Sequence, residues 1–339
     1  MSAHDLPHDE RRRRLLALAA SFALTSCGGG GGSSPAPTPT PTPPAPAPTP
    51  PAPAPTPPSP PPAPTPPTPP SPPPPTPAAK SAKRGVAYDF ATMADLQAVS
   101  AGVSWWYNWG SRPNAGLPSD ATTQAAMDYI PMLWNASYDK ASIEAYIQAH
   151  PNIKYLLVLN EPNLVDQADM SPSAAAAAWL DYEAVAAATG AKIVGPAITW
   201  GTMPGYSDPI VWMDAFILAY QTANGGRSPK IDYLAFHWYD YGLDAQLTRL
   251  QKYGKPFWVT EMANWHTGDG TAAIDSLVKQ EAQMTDMVNT CETRTDVFRY
   301  AWFTGRWNSD AHFTSLLTAT NGQLTDLGKL YLTLPFSAG

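Results

Sequence analysis

The sequence predicts an α/β protein, a single (β/α)8 barrel preceded by a disordered, proline-rich linker. Three observations predict it. Most of the 40 prolines lie before residue 80 of the 339-residue chain. After them, eight short β-rich apolar runs alternate with helical patterns. That stretch, residues 84–339, also has the length of about 250 residues usual for such a barrel.

Residues 1–26 read as a secretory signal of the lipoprotein type. Arg11, Arg12, Arg13 and Arg14 precede the apolar run Leu15 to Leu24, which is too short to cross a bilayer as a helix. Leu24-Thr25-Ser26-Cys27 looks like a bacterial lipobox, so Cys27 is the expected first mature residue and the site of lipidation. The arginine cluster also fits a twin-arginine export signal, and both routes stay open. Residues 27–83 read as a linker, Gly28 to Gly32 and then Pro, Thr, Ala and Ser, a composition that cannot bury a core. As polyproline II, at about 3.1 Å per residue, residues 33–77 would reach roughly 140 Å and hold a domain clear of a membrane.

Charge and cysteine usage narrow the partners. Residues 84–339 carry 15 Lys and Arg against 25 Asp and Glu, a net of −10 that disfavours nucleic acid and anionic lipid. The second cysteine, Cys291, has no partner once Cys27 is acylated and reads as a buried structural thiol. The expectation is a monomer at the bacterial cell envelope, on the outer membrane or cell surface, or secreted, touching a membrane only through its lipid.

The eight expected strands are Arg84 to Tyr88, Val103 to Trp109, Asp128 to Trp134, Tyr155 to Glu161, Lys192 to Ile198, Tyr233 to Tyr239, Pro256 to Met262 and Val297 to Phe303. Helical patterns fall at Ser142 to His150, Ser173 to Ala188, Pro209 to Thr222, Asp244 to Tyr253 and Thr271 to Cys291, with stop signals at Thr189-Gly190 and Tyr253-Gly254. Near-continuous apolar strands such as Tyr155-Leu-Leu-Val-Leu suit a parallel sheet covered on both faces. An open nucleotide-binding sheet would want a glycine-rich turn after the first strand, where this chain has Tyr88-Asp89-Phe90.

In a barrel, catalytic groups sit where strands end. Of the six glutamates in residues 84–339, Glu144, Glu183, Glu281 and Glu292 fall in helical patterns, where a solvated face accounts for them. Glu161 and Glu261 close the fourth and seventh strands, which would face one another across the mouth. Either alone could cap a helix or close an ion pair, but two facing carboxyls are what glycoside hydrolysis requires. Asn160 precedes Glu161, His237 and Tyr239 share a face of the sixth strand, and Trp302 lies near the end of the eighth. Trp105, Trp109, Trp134, Trp200 and Trp265 fall at or just beyond strand ends; each alone is as readily core as sugar contact.

The strings PMLW (131–134), LNEPN (159–163), HWYD (237–240), WVTE (258–261) and YAWF (300–303) resemble those of glycoside hydrolase family 128. More broadly, they are similar to the clan of retaining barrels with glutamates on the fourth and seventh strands. The resemblance implies a β-1,3-glucanase with Glu161 as acid/base and Glu261 as nucleophile. It also implies that Asn160 bonds the sugar 2-hydroxyl, Tyr239 orients Glu261, Trp302 floors the subsite and His237 completes the polar wall. Asn108, Trp109, Trp134 and Trp265 complete the candidate sugar contacts.

The expected function is therefore double-displacement, endo-acting hydrolysis of β-glucan, with no metal and no cofactor. With Glu261 ionised, its neighbour Glu161 is discouraged from ionising and stays an acid; once Glu261 is esterified, Glu161 can serve as base. Two alternatives stand beside this: a surface protein that binds glucan without cutting it, and a hydrolase of another β-linked polysaccharide.

Overall fold

The protein, seen in a computed structural model, is described over residues 80–268 and 270–336. Cys27, the signal and the proline-rich linker up to residue 79 lie outside the described residues. The folded unit begins earlier than residue 84, because the Lys80 ammonium donates to the carbonyls of Ser100, Val103 and Ala126 at 2.7–3.0 Å and Ser81 is buried. The polar residues between linker and first strand are thus anchors, which composition alone did not distinguish from tether.

Among the described residues nine strands make one parallel sheet: β1 (Arg84–Ala87), β2 (Trp105–Tyr107), β3 (Asp128–Tyr129), β4 (Met132–Leu133), β5 (Tyr155–Val158), β6 (Lys192–Ile198), β7 (Tyr233–Trp238), β8 (Phe257–Met262) and β9 (Val297–Trp302). Their order is β3-β2-β1-β9-β8-β7-β6-β5-β4. All eight expected runs contain a strand, and the third contains two. Pro131 has no N–H to give a ladder, so the segment changes partner there. Before it β3 pairs with β2, and after it β4 pairs with β5. The two outermost strands of the curled sheet are therefore consecutive in the chain, separated only by Ile130 and Pro131.

The helices are α1 (Met93–Ser100), α2 (Ala121–Ala125), α3 (Lys140–Ala149), α4 (Pro172–Thr189), α5 (Pro209–Ala223), α6 (Leu243–Leu250), α7 (Leu277–Thr293) and α8 (Asp326–Thr333). Side-chain caps set several of their starts: Asp139 accepts from Ser142 N, Ser171 from Ala174 N before Pro172, and Asp208 from Ile210 N before Pro209. Gly190 and Gly254 stop α4 and the turn after α6 with φ of 74° and 62°, as their sequence signals imply. The helices absent from the sequence reading, α1, α2 and α8, run for only five to eight residues, too short for periodicity to declare itself.

A layer of helices packs the outer face of the sheet, and its chemistry corrects one expectation. Glu292 of α7 is not on a solvated face: it is 5% exposed, accepts from Ser81 and Tyr300, and lies 3.8 Å from the Arg84 guanidinium. Arg84 in turn donates to the carbonyls of Tyr331 and Leu334. A buried cation at the first strand thus fastens the C-terminal helix, and Glu292 offsets its charge. Cys291 is a buried free thiol, whose ionisation burial pushes up. Among the described residues no helix is long and apolar enough to cross a membrane.

Candidate active site

Glu161 follows β5 through a sharply bent backbone. Leu159 and Glu161 have φ of 57° and 47°, a left-handed region costly for side chains of this kind. The bend is held from the next strand by the Glu161 amide, which donates to Ala197 O at 2.8 Å. Glu261 needs no such bend, since it is the fifth residue of β8 and shares a register position with His237 of β7. Both glutamates are buried, at 0% and 1% exposure. A buried charge of this kind is retained only when specific donors replace water.

Those donors are present. Glu261 Oε1 accepts from Tyr107 OH at 3.0 Å and from Trp109 Nε1 at 2.8 Å, while Oε2 accepts from Tyr239 OH. Burial, and after it the charge of Glu261, push the Tyr107 hydroxyl well above its ordinary ionisation range, so it stays a donor. His237 stands between the two carboxyls, with Nδ1 2.8 Å from Glu161 Oε1 and 3.5 Å from Glu261 Oε2. Its Nε2 meets the Thr260 hydroxyl at 2.9 Å. One oxygen of each glutamate and a ring nitrogen of His237 all lie within 4.8 Å of one another. The trio has ligand types that suit a cation, but both nitrogens of His237 are already engaged by hydrogen bonds.

Residues 85–331 match the family model described as glycosyl hydrolase catalytic core. An endo-β-1,3-glucanase of family 128, subgroup II, from Pseudomonas viridiflava is 60% identical, with a TM-score of 0.75 over 76% of this chain and 100% of that one. Its subgroup II counterpart from Sorangium cellulosum is 33% identical, with a TM-score of 0.64 over 76% of this chain and 100% of its own. Alkali-sensitive linkage protein 1 of Schizosaccharomyces pombe is 27% identical over 266 residues, which is 74% of this chain and 44% of that protein. The chain thus spans less than half the length of that curated relative.

The chain belongs to glycoside hydrolase family 128.

Around the glutamates of this family 128 enzyme the expected contacts fall into three groups. Asn160, His237, Tyr239, Trp109 and Trp134 stand at or beside the mouth. Asn160 is buried, its amide donating to Gln167 Oε1 at 3.1 Å and its Oδ1 having no hydrogen-bond partner among the described residues. Trp134 is half-buried at the end of β4. Trp265 forms a layer behind the mouth, 4% exposed, with its ring 4.1 Å from that of Tyr239.

Two expected contacts are elsewhere. Trp302 does not floor the mouth: its ring is wholly buried on the helix-facing side against Tyr331 of α8, and its N–H is spent on Thr314 O. The next residue, Phe303, is the one on the side of the glutamates, with the rings of Trp109, Tyr239, Trp265 and Trp307 around it at 5.5–5.8 Å. Successive strand residues point to opposite faces, so an assignment displaced by one residue lands on the wrong side of the sheet. Asn108 is likewise committed to scaffolding. Its amide donates to Asp89 and Arg112 O, and its oxygen accepts from Tyr129 OH and Gly110 N.

Tyr107, Thr260, Gln167, Phe303 and Trp307 escaped the sequence reading. Tyr107 had a signal, because alternation along β2 puts it on the same face as Trp109. Thr260 and Gln167 had none, since their partners are set only by folding.

Proposed function

We propose that this glycoside hydrolase is a retaining endo-β-1,3-glucanase, with Glu161 as acid/base and Glu261 as nucleophile. The observation that carries it is the spacing of the two carboxyls. With one oxygen of each carboxylate within 4.8 Å of the other, they suit direct attack, for which about 5–5.5 Å between carboxyls is usual, better than the about 6.5–9.5 Å that inversion leaves for a water. The subgroup II relatives named as endo-β-1,3-glucanases support the substrate. For the architecture we take β3 and β4 as two halves of one stave, so that the sheet closes as an eight-stave barrel with Glu161 and Glu261 on opposite walls.

In the first step Glu261 Oε2 attacks the anomeric carbon while Glu161 gives its proton to the departing glucosyl oxygen. Three donors hold the nucleophile in place, which lowers the reorganisation needed at the transition state. The Tyr107 and Trp109 donors on Oε1 remain with the ester carbonyl and stabilise the carboxylate as it leaves in the second step. Glu161, then ionised, takes a proton from the attacking water. His237 can follow both states. With the Thr260 hydroxyl donating to Nε2, Nδ1–H donates to Glu161 Oε1, so the acid's proton is carried on Oε2 for the leaving oxygen and the later carboxylate keeps the same donor.

The test is initial rates on β-1,3- and β-1,4-linked glucose oligomers of equal length, with the anomeric proton of the first product followed by NMR. The expected result is a β-anomer product and at least about a 100-fold preference in kcat/KM for the 1,3 series. An α-anomer product removes retention, and equal rates remove the substrate assignment. Binding without product release would restore the non-catalytic alternative.

The lipid anchor is a separate proposal. Cys27→Ser should move the protein from the membrane fraction to the soluble one with activity unchanged, because the lipid supplies the binding through its methylenes. Persistence in the membrane fraction would overturn it.

A further inference from the structure

Trp200, just beyond β6, is 39% exposed, whereas Trp105, Trp265, Trp302 and Phe303 are buried. An isolated exposed tryptophan is unremarkable if its ring is loose. This one is fixed. Its Nε1 donates to Gln246 Oε1 at 3.0 Å, and the Arg249 guanidinium lies 5.1 Å from the ring centroid, itself pinned by Asp208 at 2.7 Å. The ring is therefore a plane braced on α6, with the exposed remainder turned to solvent.

The plane is also registered to Glu161. Asn163, two residues after it and fully buried, donates to Thr199 O at 2.6 Å, and its carbonyl accepts from Thr202 N and Met203 N. Gly201 is required there, since a Cβ would lie 2.1 Å from Asn163 O. Ala197, which accepts from the Glu161 amide, is three residues before Trp200, a reach of at most about 10 Å. Thr199 ties the same segment to the next strand, its hydroxyl on His237 O at 3.2 Å, and Trp200 follows it with its ring against Gln246 and Arg249.

We propose that Trp200 is a stacking platform for a glucosyl unit on the leaving-group side of the cleaved bond, beyond the unit whose oxygen Glu161 protonates. It rests on the retaining β-1,3-glucanase reading. Glucose presents apolar C–H faces to such a plane, and a rigid ring contributes contact area at little entropic cost. A rim position serves only chains long enough to cross it.

The experiment compares kcat/KM on β-1,3-linked glucose oligomers of seven and three units. In Trp200→Ala the seven-to-three ratio should fall about tenfold, near the upper end for one ring contact. Trp200→Phe, which keeps a ring, should retain at least about a third of the parent ratio. A ratio unchanged in Trp200→Ala, or lost equally in both variants, overturns the platform. If Trp200→Ala does not fold, the Glu161→Gln protein decides: the heptamer should protect Trp200 from N-bromosuccinimide, read by mass spectrometry, and unchanged oxidation at Trp200 overturns it. Failure of the parent to cleave either oligomer would instead overturn the glucanase reading.

Discussion

The two ends of the sheet use the same kinds of residue in opposite ways. At the end where strands begin, the Arg299 guanidinium lies 5.1–6.0 Å from the ring centroids of Trp105, Tyr155, Trp258 and Phe298, and bonds Asp128 at 3.0 Å. At the end where strands finish, Glu261 meets the hydroxyls of Tyr107 and Tyr239 and the N–H of Trp109. Rings are negative on their faces and positive at their edges, so a cation is held over faces and an anion by edge donors. Trp105, Tyr107 and Trp109, alternate residues on and just after β2, contribute to both arrangements. One column of aromatics plugs one end and gives hydrogen bonds to a buried glutamate at the other. The same composition can therefore mean packing or chemistry, and the sign of the neighbouring charge decides which.

The largest expected effect that could break this contrast is at the anion. Glu261→Ala should lower turnover on β-1,3-glucan by about 10^4-fold or more, as loss of a nucleophile does in other hydrolases. Added azide should restore part of it and yield an α-glycosyl azide, read by NMR. Recovery of a β-glycosyl azide from Glu161→Ala is the expected companion result, and the reverse pattern would exchange the two roles.

Removing one edge donor sharpens the comparison. Tyr107→Phe should cost about 10–100-fold in kcat/KM, the worth of one hydrogen bond to a charged group, while melting changes by only a few degrees. A loss of stability without loss of rate would make Tyr107 a core residue and no more.

At the opposite end the signs of the effect should reverse. Arg299→Met should destabilise by about 1–2 kcal/mol in urea unfolding, since the cation–π contacts and the Asp128 pair go together. Its kcat should stay within about twofold. A drop in kcat as large as that of Tyr107→Phe would mean that the two ends are coupled.

The smallest effect belongs to a pair that takes part in neither arrangement. Burial disfavours ionisation of Asp95, but hydrogen bonds from Arg306 and the Gly322 amide outweigh it and hold the carboxyl below its usual range. A folded-state value lower than the unfolded one of about 3.9 stabilises the protein above that pH, and the contribution is lost as pH falls through the folded value. Asp95→Asn should therefore be less stable than the parent at pH 7, and the two should converge in acid unfolding as the pH falls through the folded-state value. A constant difference across that range would refer the effect to packing.

Much of the site was legible before folding. Glu161 and Glu261 were marked as a pair, each closing an apolar run where a buried carboxylate is costly, and strand order brought them to one place. The parallel sheet was legible because its strands are buried on both faces and read as unbroken apolar runs. What the linear pattern could not carry was the phase of side chains once a strand ends. The exchange of Trp302 for Phe303 turns on one residue of phase, and the left-handed Leu159 and Glu161 show how far backbone at these ends departs from simple alternation.

The amino-acid order by itself therefore determined the eight strand-bearing runs, five of the helices between them, and which two carboxyls meet. Those follow from local periodicity and from chain connectivity. Tertiary structure alone decided what each polar group spends its hydrogen bonds on: Asn108 on its own loop, Glu292 on Ser81 and Tyr300, His237 on Glu161 and Thr260, and Tyr107 on Glu261. A hydrogen bond is chosen by atoms within about 3 Å of one another, and residues 154 apart, as Tyr107 and Glu261 are, become such neighbours only when the sheet has assembled.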